Sequence, residues 1–374
     1  MTETLGNVVR HSPIGTYLTR EFPLLPLVLV MEIQTDVVIV GAGPCGLFQV
    51  FELGLLGLKA HLIDSLEYAG GQCVELYPEK PIYDIPALPV CGAKELIDRL
   101  QEQISPFSPT FHLGQQVQEV TPLENGRFRV VTSTGTRFDC GAVVIAAGVG
   151  SFSPRKLDVP GFEKYEGRQV FYSVRDKSIH DGKDVIILGG GDSALDWTLD
   201  LVPRANSVVL IHRSHDFKAA PASVERMRHH CNEMEMQFLE GSVVGLAEEN
   251  DSLTAIKVKT KDGGVRTVPV EHLLTFWGLH PKLGPIAEWG LNLTKNRIEV
   301  DTEKFQTNVP GIFAVGDINV YPGKKKLILS GFHEGALAAF AIAERLNGGE
   351  KVSLQYTTTN TQLHKRLGVT VDLS

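Results

Sequence analysis

Two glycine clusters in this sequence have the spacing that holds a nucleotide pyrophosphate. The first, "GAGPCG" at residues 41–46, follows a β-type apolar run and precedes a run with helical apolar spacing. Its first glycine permits a tight turn, its second leaves room for phosphate, and its third lets helix and strand pack closely. The helix N-terminus adds partial positive charge. The predicted cofactor-binding residues of this cluster are Gly41, Gly43, Pro44, Cys45 and Gly46.

An acidic residue ends the strand that follows this cluster. The run "KAHLID", residues 59–64, reads as the second strand and closes with Asp64. This is roughly 20 residues beyond the first glycine, where a dinucleotide-binding unit carries the carboxylate that binds ribose hydroxyls. Because a carboxylate there repels a 2′-phosphate, we expect FAD or NAD at the first cluster rather than NADP.

The second cluster repeats the pattern with the charge at the strand end reversed. Residues 189–194, "GGGDSA", form the variant Gly-x-Gly-x-x-Ala, and the next strand ends in a basic segment. Basic side chains there can hold a 2′-phosphate by charge-assisted hydrogen bonds, which predicts NADP(H). A solvated basic loop is the alternative. The predicted NADP(H) contacts are Gly189, Gly191, Asp192, Ser193, Ala194, His212, Arg213 and Lys218.

The composition is that of a globular protein with more than one domain. The chain has 374 residues, of which 43% are hydrophobic and 21% charged, which is enough for two or three domains. Its formal net charge of −8 provides no electrostatic reason to bind nucleic acid or an anionic membrane surface. We therefore expect neither partner.

The cysteines indicate a reducing compartment. The five cysteines are odd in number and never form Cys-x-x-Cys, so we expect no disulfide framework, no metal site and a reducing, cytoplasmic compartment.

The apolar run at the N-terminus, residues 22–31, contains two prolines and is too short to span a bilayer. We expect residues 1–30 to be a poorly ordered extension from an upstream start; an organelle-targeting peptide is the less favoured alternative.

Six segments occur in the order "GAGPCGLF", "AGGQCVELYPEKPIYDIP", "VVIAAG", "YSVRDKSIHDGKDVIILGGGDSALDW", "HRSHDFKA" and "PGIFAVGDINVYPGKKKLILSGFHEGALAA". Together they resemble the ferredoxin–NADP reductases of the thioredoxin-reductase-like type, within the flavoproteins with two dinucleotide-binding domains. The resemblance covers residues 31 to about 370. It is far more specific than either glycine cluster.

The resemblance implies an α/β fold of two Rossmann-like domains of the three-layer ββα type. An NADPH domain, residues 151–281, would be inserted into an FAD domain split into residues 31–150 and 282–374. Two Gly- and Pro-rich segments, residues 148–161 and 277–285, bracket the second glycine cluster and would be the hinges.

The resemblance also implies contacts to FAD. Tyr77 would stack on one face of the isoalloxazine and Tyr356, from the tail, on the other face. Because the family is commonly dimeric, that flavin can belong to the neighbouring subunit of a homodimer. Asp317 would hydrogen-bond the ribityl chain. A turn-forming aspartate and a packed tail tyrosine are the respective alternatives. The remaining implied FAD contacts are Gln72, Val117 and Thr357.

The implied chemistry is electron transfer without a catalytic side chain. NADPH would deliver hydride to flavin N5, and electrons would leave one at a time to ferredoxin or flavodoxin. The segment 173–184, before the second cluster, lacks the redox Cys-x-x-Cys of thioredoxin reductases, so no dithiol relay is expected. A helix beginning near Gly331 would point its N-terminus at the flavin.

A basic docking surface is expected because carriers of this kind are commonly acidic. Its candidate sources are Lys324–Lys326 and His364–Arg366. A run of three lysines is more often a solvated loop, which is the alternative here. Two other functions stay open. One is an NADPH-dependent flavin reductase of small diffusible acceptors such as quinones. The other is a non-enzymatic FAD/NADPH redox sensor.

Overall fold

The structure is a computed structural model that describes residues 32–150, 153–154, 156–280, 282–354, 356–358 and 360–368. The predicted extension at residues 1–30 lies outside the described residues. Among the helices of the described part, none has the length and apolar character needed to cross a membrane.

In the first part of the chain, the described residues 32–150 contain eight strands and three helices. The strands are β1 Glu32–Val40, β2 Ala60–Ile63, β3 Pro81–Ile82, β4 Cys91–Gly92, β5 Thr110–His112, β6 Val117–Pro122, β7 Phe128–Thr132 and β8 Arg137–Ile145. The helices are α1 Pro44–Leu55, α2 Gln72–Glu75 and α3 Ala93–Ile104, with a short 3-10 helix at Ser105–Phe107.

The middle part, up to residue 280, contains nine strands and two helices among its described residues. The strands are β9 Ser153–Pro154, β10 Val170–Phe171, β11 Asp184–Leu188, β12 Ser207–His212, β13 Gln237–Glu249, β14 Ser252–Thr260, β15 Val265–Pro269, β16 His272–Thr275 and β17 Leu279–His280. The helices are α4 Asp192–Leu201 and α5 Pro221–Asn232, with 3-10 helices at Glu163–Tyr165 and Lys177–His180.

The last part completes the fold. Its described strands are β18 Leu293–Thr294, β19 Arg297–Glu299, β20 Ile312–Ala314 and β21 Asn319–Val320. Its helices are α6 Ile328–Leu346 and α7 Thr361–Arg366, with 3-10 helices at Gly284–Glu288 and Gly316–Ile318. Helix α6 begins at Ile328, three residues before the predicted start, because its apolar face already packs there against the first part of the chain.

Two seven-stranded sheets organise these elements. The first has the order β5-β2-β1-β8-β7-β6, and β20 pairs in parallel with the end of β8. The second has the order β10-β16-β11-β12-β13-β14-β15. The chain thus leaves the first sheet after β8, builds the second, and returns to the first with β20. This topology confirms the predicted α/β fold of two Rossmann-like units with one inserted into the other; the exact domain boundaries stay a prediction.

The central parallel strands of each sheet, such as β1 and β11, are buried on both faces over most of their length. In β1, Val37 and Ile39 pack with α1, α3 and α6, whereas Val38 and Val40 face the layer formed by β6, β7 and residues 283–291. This is the two-residue alternation of a strand. In β11, Val185 and Ile187 face α4 and α5 in the same way, and the alternate residues face β14.

The two connections between the sheets run side by side. Strands β9 and β17 form an antiparallel pair in which Pro154 lies opposite Leu279. Gly150 also bridges to Lys282. The segments predicted as hinges are therefore neighbours, and they hold the two units together through a short ribbon.

Candidate functional site

The first glycine turn joins β1 to α1. Gly41 has φ +111°, and a Cβ there would lie 2.5 Å from the carbonyl oxygen of Ala146. A Cβ at Gly46 would lie 2.0 Å from the carbonyl oxygen of Gly41. At Gly43, by contrast, the nearest atom to a Cβ is the Cα of Gly71 at 4.0 Å. The backbone thus forbids side chains at two positions and leaves open space at the third.

Asp64 follows β2 and lies against this turn. Its carboxylate accepts hydrogen bonds from the backbone N–H of Ala42 at 2.7 Å and of Leu66 at 2.9 Å. Burial raises the pKa of Asp64, and these backbone hydrogen bonds oppose the rise. The carboxylate is held in a fixed orientation beside the glycine turn, where a ribose would follow a pyrophosphate bound at Gly43.

One cleft brings most of the predicted FAD contacts together. The members that line it are Gly41, Gly43, Pro44, Cys45, Asp64, Gln72, Tyr77, Val117 and Asp317. Gly46 is buried behind Gly41. Sequence reasoning missed further lining residues, because loops returning from other strands place them and no motif marks them. These are Ser65, Leu66, Gln115, Gln116, Ile286 and Lys326–Ile328.

Two predicted contacts do not lie in this cleft. Tyr356 is 70% exposed, and Thr357 is exposed as well. The backbone carbonyl of Thr357 accepts a hydrogen bond from Nε2 of His364 at 2.5 Å, which holds this segment against α7. Both residues therefore lie on the surface of this chain.

The cysteines at the cleft are unsuited to thiol chemistry. Burial raises the pKa of Cys45 to about 12 and that of Cys73 to about 11. Burial also raises the pKa of Tyr77, whose hydroxyl lies 3.9 Å from the Cys73 sulfur. Since the thiolate is the reactive form, neither cysteine is a nucleophile near neutral pH.

The second glycine turn joins β11 to α4. Gly189 has φ +152°, and a Cβ there would lie 2.6 Å from the carbonyl oxygen of Phe276 and 2.8 Å from the Cβ of Ala194. Gly191 precedes α4 in an extended conformation, and its Cβ position is 3.8 Å from the nearest atom, the carbonyl oxygen of Lys218. The second turn therefore repeats the restrictions of the first.

The basic segment after β12 folds back over the second turn. The His212 ring packs on Gly190, and the backbone N–H of Lys218 donates to the Gly190 carbonyl at 2.7 Å. Asp192 accepts from the N–H of Ala220 at 2.8 Å. Burial lowers the pKa of His212, so its ring is neutral near pH 7. Positive charge here comes from Arg213 and Lys218.

A second cleft opens at this turn and meets the first. It is lined by Gly191, Asp192, Ser193 and Lys218, while Gln72 and Tyr77 line both clefts. Three ion pairs join the segment around Tyr77 to the second unit. They are Lys80–Asp196 at 2.6 Å, Glu79–Lys177 at 3.0 Å and Glu75–Arg175 at 2.5 Å.

The sequence is similar to named proteins over most of its length. The family model for pyridine nucleotide-disulphide oxidoreductases matches residues 35–342. Ferredoxin–NADP reductase 2 of Cupriavidus metallidurans is 63% identical over 337 residues, which are 90% of this chain and 92% of that protein. Ferredoxin–NADP reductase of Methylibium petroleiphilum is 61% identical over 341 residues, covering 90% and 93%.

The fold is similar to that of solved thioredoxin reductases. The enzyme of T. acidophilum superposes with a TM-score of 0.72 at 22% identity, covering 84% of this chain and 100% of that one. The enzyme of Lactococcus lactis gives 0.71 at 24% identity, covering 84% and 99%. At this identity the likeness concerns the fold alone.

Proposed function

Because this chain belongs to the pyridine nucleotide-disulphide oxidoreductase family, we propose that it is a ferredoxin–NADP reductase with FAD in the first cleft and NADP(H) in the second. The observation that carries this proposal is the shared wall of the two clefts: Gln72 and Tyr77 line both. Two nucleotides bound at the two turns would meet at these residues.

The first cleft fits FAD. The open space at Gly43 accepts a pyrophosphate, and the fixed carboxylate of Asp64 accepts from ribose hydroxyls. Asp317, Val117 and Tyr77 line the part of the cleft left for the ribityl chain and the ring. When bound, FAD supplies the exchange between two-electron hydride chemistry and one-electron transfer, and the chain supplies binding and orientation.

The second cleft fits NADP(H). The N-terminus of α4 at Gly191–Ser193 receives the pyrophosphate, and Arg213 and Lys218 hold the 2′-phosphate. The charge at the end of β12 is thus opposite to that at the end of β2. This difference supports the assignment of the phosphorylated nucleotide to the second cleft.

We also propose that the active form is a homodimer. Leu354 and Tyr356 are 64% and 70% exposed, which leaves two large apolar side chains of the tail without cover in the single chain. In the dimer, Tyr356 and Thr357 of one subunit would cover the flavin cleft of the other. Analytical ultracentrifugation tests the assembly, and loss of dimers in a chain truncated after residue 352 would support the tail contact.

Ferredoxin is the proposed partner, with flavodoxin as a second carrier. Lys325 and Lys326 are exposed, and Lys326 lines the first cleft. Lys324, predicted for the same surface, is buried and paired with Glu334, so it is not a docking residue. On α7, the Arg366 guanidinium donates to the carbonyl of Leu55, which leaves Lys365 as the freer cation of that segment.

The protein is proposed to act in the reducing cytoplasm. All five cysteines are free of disulfides. This agrees with a compartment in which thiols stay reduced.

The first experiment is NADPH-driven cytochrome c reduction by the purified protein with and without ferredoxin, beside a thioredoxin-disulfide assay. Dependence on ferredoxin and no disulfide turnover support the reductase. Full turnover with small acceptors and no ferredoxin dependence would favour the diffusible-acceptor alternative, and slow turnover with every acceptor would favour the sensor.

Charge reversal tests the docking surface. Lys325→Glu is expected to slow ferredoxin reduction roughly tenfold at low salt while leaving ferricyanide reduction unchanged, because rim charges act mainly on association. Lys257→Glu, on β14 in the second unit, is the matched control. Equal losses with both acceptors in Lys325→Glu would contradict docking at this loop.

A further inference from the structure

A buried ion pair lies behind the turn that carries Asp317. Glu334, on α6, pairs with Lys324, and their side chains are 0% and 3% exposed. Replacing a buried ion pair with apolar residues is often neutral or stabilising for a fold. Stability alone therefore does not account for this pair beside the first cleft.

Both carboxylate oxygens of Glu334 hold the segment around the turn. Oε2 accepts from the backbone N–H of Gly316 at 2.7 Å and from Nδ2 of Asn319 at 2.8 Å. Oε1 accepts from the Tyr321 hydroxyl at 2.8 Å and from Nζ of Lys324. The carboxylate thus ties the end of β20 and the following loop to α6.

Lys324 completes the arrangement by returning to the same turn. Its Nζ donates to the carbonyl oxygen of Gly316 at 2.9 Å. Because a trans peptide is planar, with its C=O and N–H pointing in opposite directions, this bond orients the peptide between Gly316 and Asp317. Glu334 orients the preceding peptide through the Gly316 N–H. Gly316 has φ +79°, so the turn has a conformation that other residues rarely adopt.

We propose that Glu334 and Lys324 are positioning residues for the flavin nucleotide. They fix the two peptides on either side of Gly316 and so direct Asp317 into the first cleft. Gly316 and Asp317 line that cleft, whereas Glu334 is fully buried behind it and acts through them. The inference rests on the proposed FAD site.

The test is FAD binding to apoprotein, measured as the Kd from quenching of FAD fluorescence. Glu334→Gln and Lys324→Met each remove one side of the pair and are expected to raise this Kd roughly tenfold, since each loses hydrogen bonds to a charged group. Tyr321→Phe removes one donor and keeps the ion pair, so a smaller rise is expected. Glu344→Gln, about 15 Å further along α6, is the matched control with unchanged Kd.

A double-mutant cycle separates positioning from a general loss of structure. If Glu334 acts through Asp317, then Glu334→Gln in an Asp317→Ala background changes the Kd by less than about twofold. Additive effects of the two substitutions would overturn the proposal. An unchanged Kd in both Lys324→Met and Tyr321→Phe would also overturn the proposal. These two variants test it even if Glu334→Gln does not fold.

This outcome is distinct from failure of the proposed function. Unaltered apoprotein that takes up no FAD would contradict the flavin site itself. Unaltered protein that binds FAD tightly, with variants that bind equally well, would contradict only the positioning role.

Discussion

The two glycine turns have similar backbone conformations and differ in the side chains that lie behind them. At both, the first glycine has a positive φ and no room for a Cβ, and the middle glycine faces open space. Behind the first lies a half-buried carboxylate, Asp64, which accepts hydrogen bonds from backbone N–H groups. Behind the second lie the neutral ring of His212 and two cations. In the proposed function, the turns would determine where a pyrophosphate binds, and the residue at the next strand end would determine which nucleotide is bound.

The largest effect is expected from adding one methyl group within the first turn. In Gly46→Ala the new Cβ meets the Gly41 carbonyl oxygen at 2.0 Å, which requires the backbone to move. We expect a loss of more than about 3 kcal/mol in the unfolding free energy of the apoprotein. Thermal denaturation with FAD removed measures it.

Gly43→Ala is the matched control for that substitution. Its Cβ meets nothing closer than 4.0 Å, so the apoprotein should keep its thermal midpoint. FAD binding should weaken because the methyl group occupies the phosphate space. Similar destabilisation of the two apoproteins would contradict the distinct roles of these glycines.

Removing a cation behind the second turn should change which nucleotide is used. Arg213→Ala is expected to lower kcat/KM for NADPH roughly 10- to 100-fold, because a charged hydrogen bond to the 2′-phosphate is lost, with little change for NADH. Steady-state kinetics with both nucleotides measure this preference. Arg266→Ala, on the exposed strand β15, is the control. An unchanged preference would show that the phosphate binds elsewhere.

Each of the two units contains a pair of neighbouring histidines, of which His180 is fully buried and the other three are half-buried, and this allows a comparison of their pH dependence. His61 and His112 lie 2.9 Å apart in the first unit, and His180 and His272 lie 2.9 Å apart in the second. Burial lowers the pKa of all four, and that of His180 to about 4.

For His180 the sign of the effect follows from proton binding. Between about pH 6.5 and pH 4, His180 binds a proton in the unfolded chain but not in the folded protein. The free energy of unfolding therefore falls as the pH falls through this window. In His180→Gln the drop in thermal midpoint from about pH 7.5 to about pH 5 should be smaller than in the unaltered protein. His333→Gln, at an exposed position, is the control. An equal drop in His180→Gln would contradict a lowered pKa of His180 in the folded protein.

The smallest effect is expected from the ion pairs that join the two units. Lys80→Ala removes the contact with Asp196, and should slow flavin reduction by NADPH about two- to fivefold, since partly exposed pairs contribute little. Anaerobic stopped-flow without a carrier protein measures this step. Lys94→Ala, which removes an exposed pair within α3, is the control. An equal decrease in the rate of flavin reduction in Lys94→Ala would contradict a specific role of the Lys80–Asp196 ion pair in this step.

Much of the site was predictable because its requirements are local. Gly41, Gly46 and Gly189 occupy positions where the backbone tolerates no side chain, and such restrictions leave a fixed spacing in the sequence. The reversed charge at Asp64 and Arg213 is visible in the same way. Lys324 was misjudged because three consecutive lysines usually indicate a solvated loop, and its partner Glu334 belongs to a helix that begins after that loop.

The sequence by itself determined the two glycine turns, the order of the two units and the sign of the charge at each strand end. These depend on backbone sterics and on residues within one strand-turn-helix unit. Only the tertiary structure decided that Gln72 and Tyr77 line both clefts, that Tyr356 and Thr357 are exposed at the surface, and that the Lys324 side chain is buried. These depend on packing between distant segments, which no local pattern of residue types encodes.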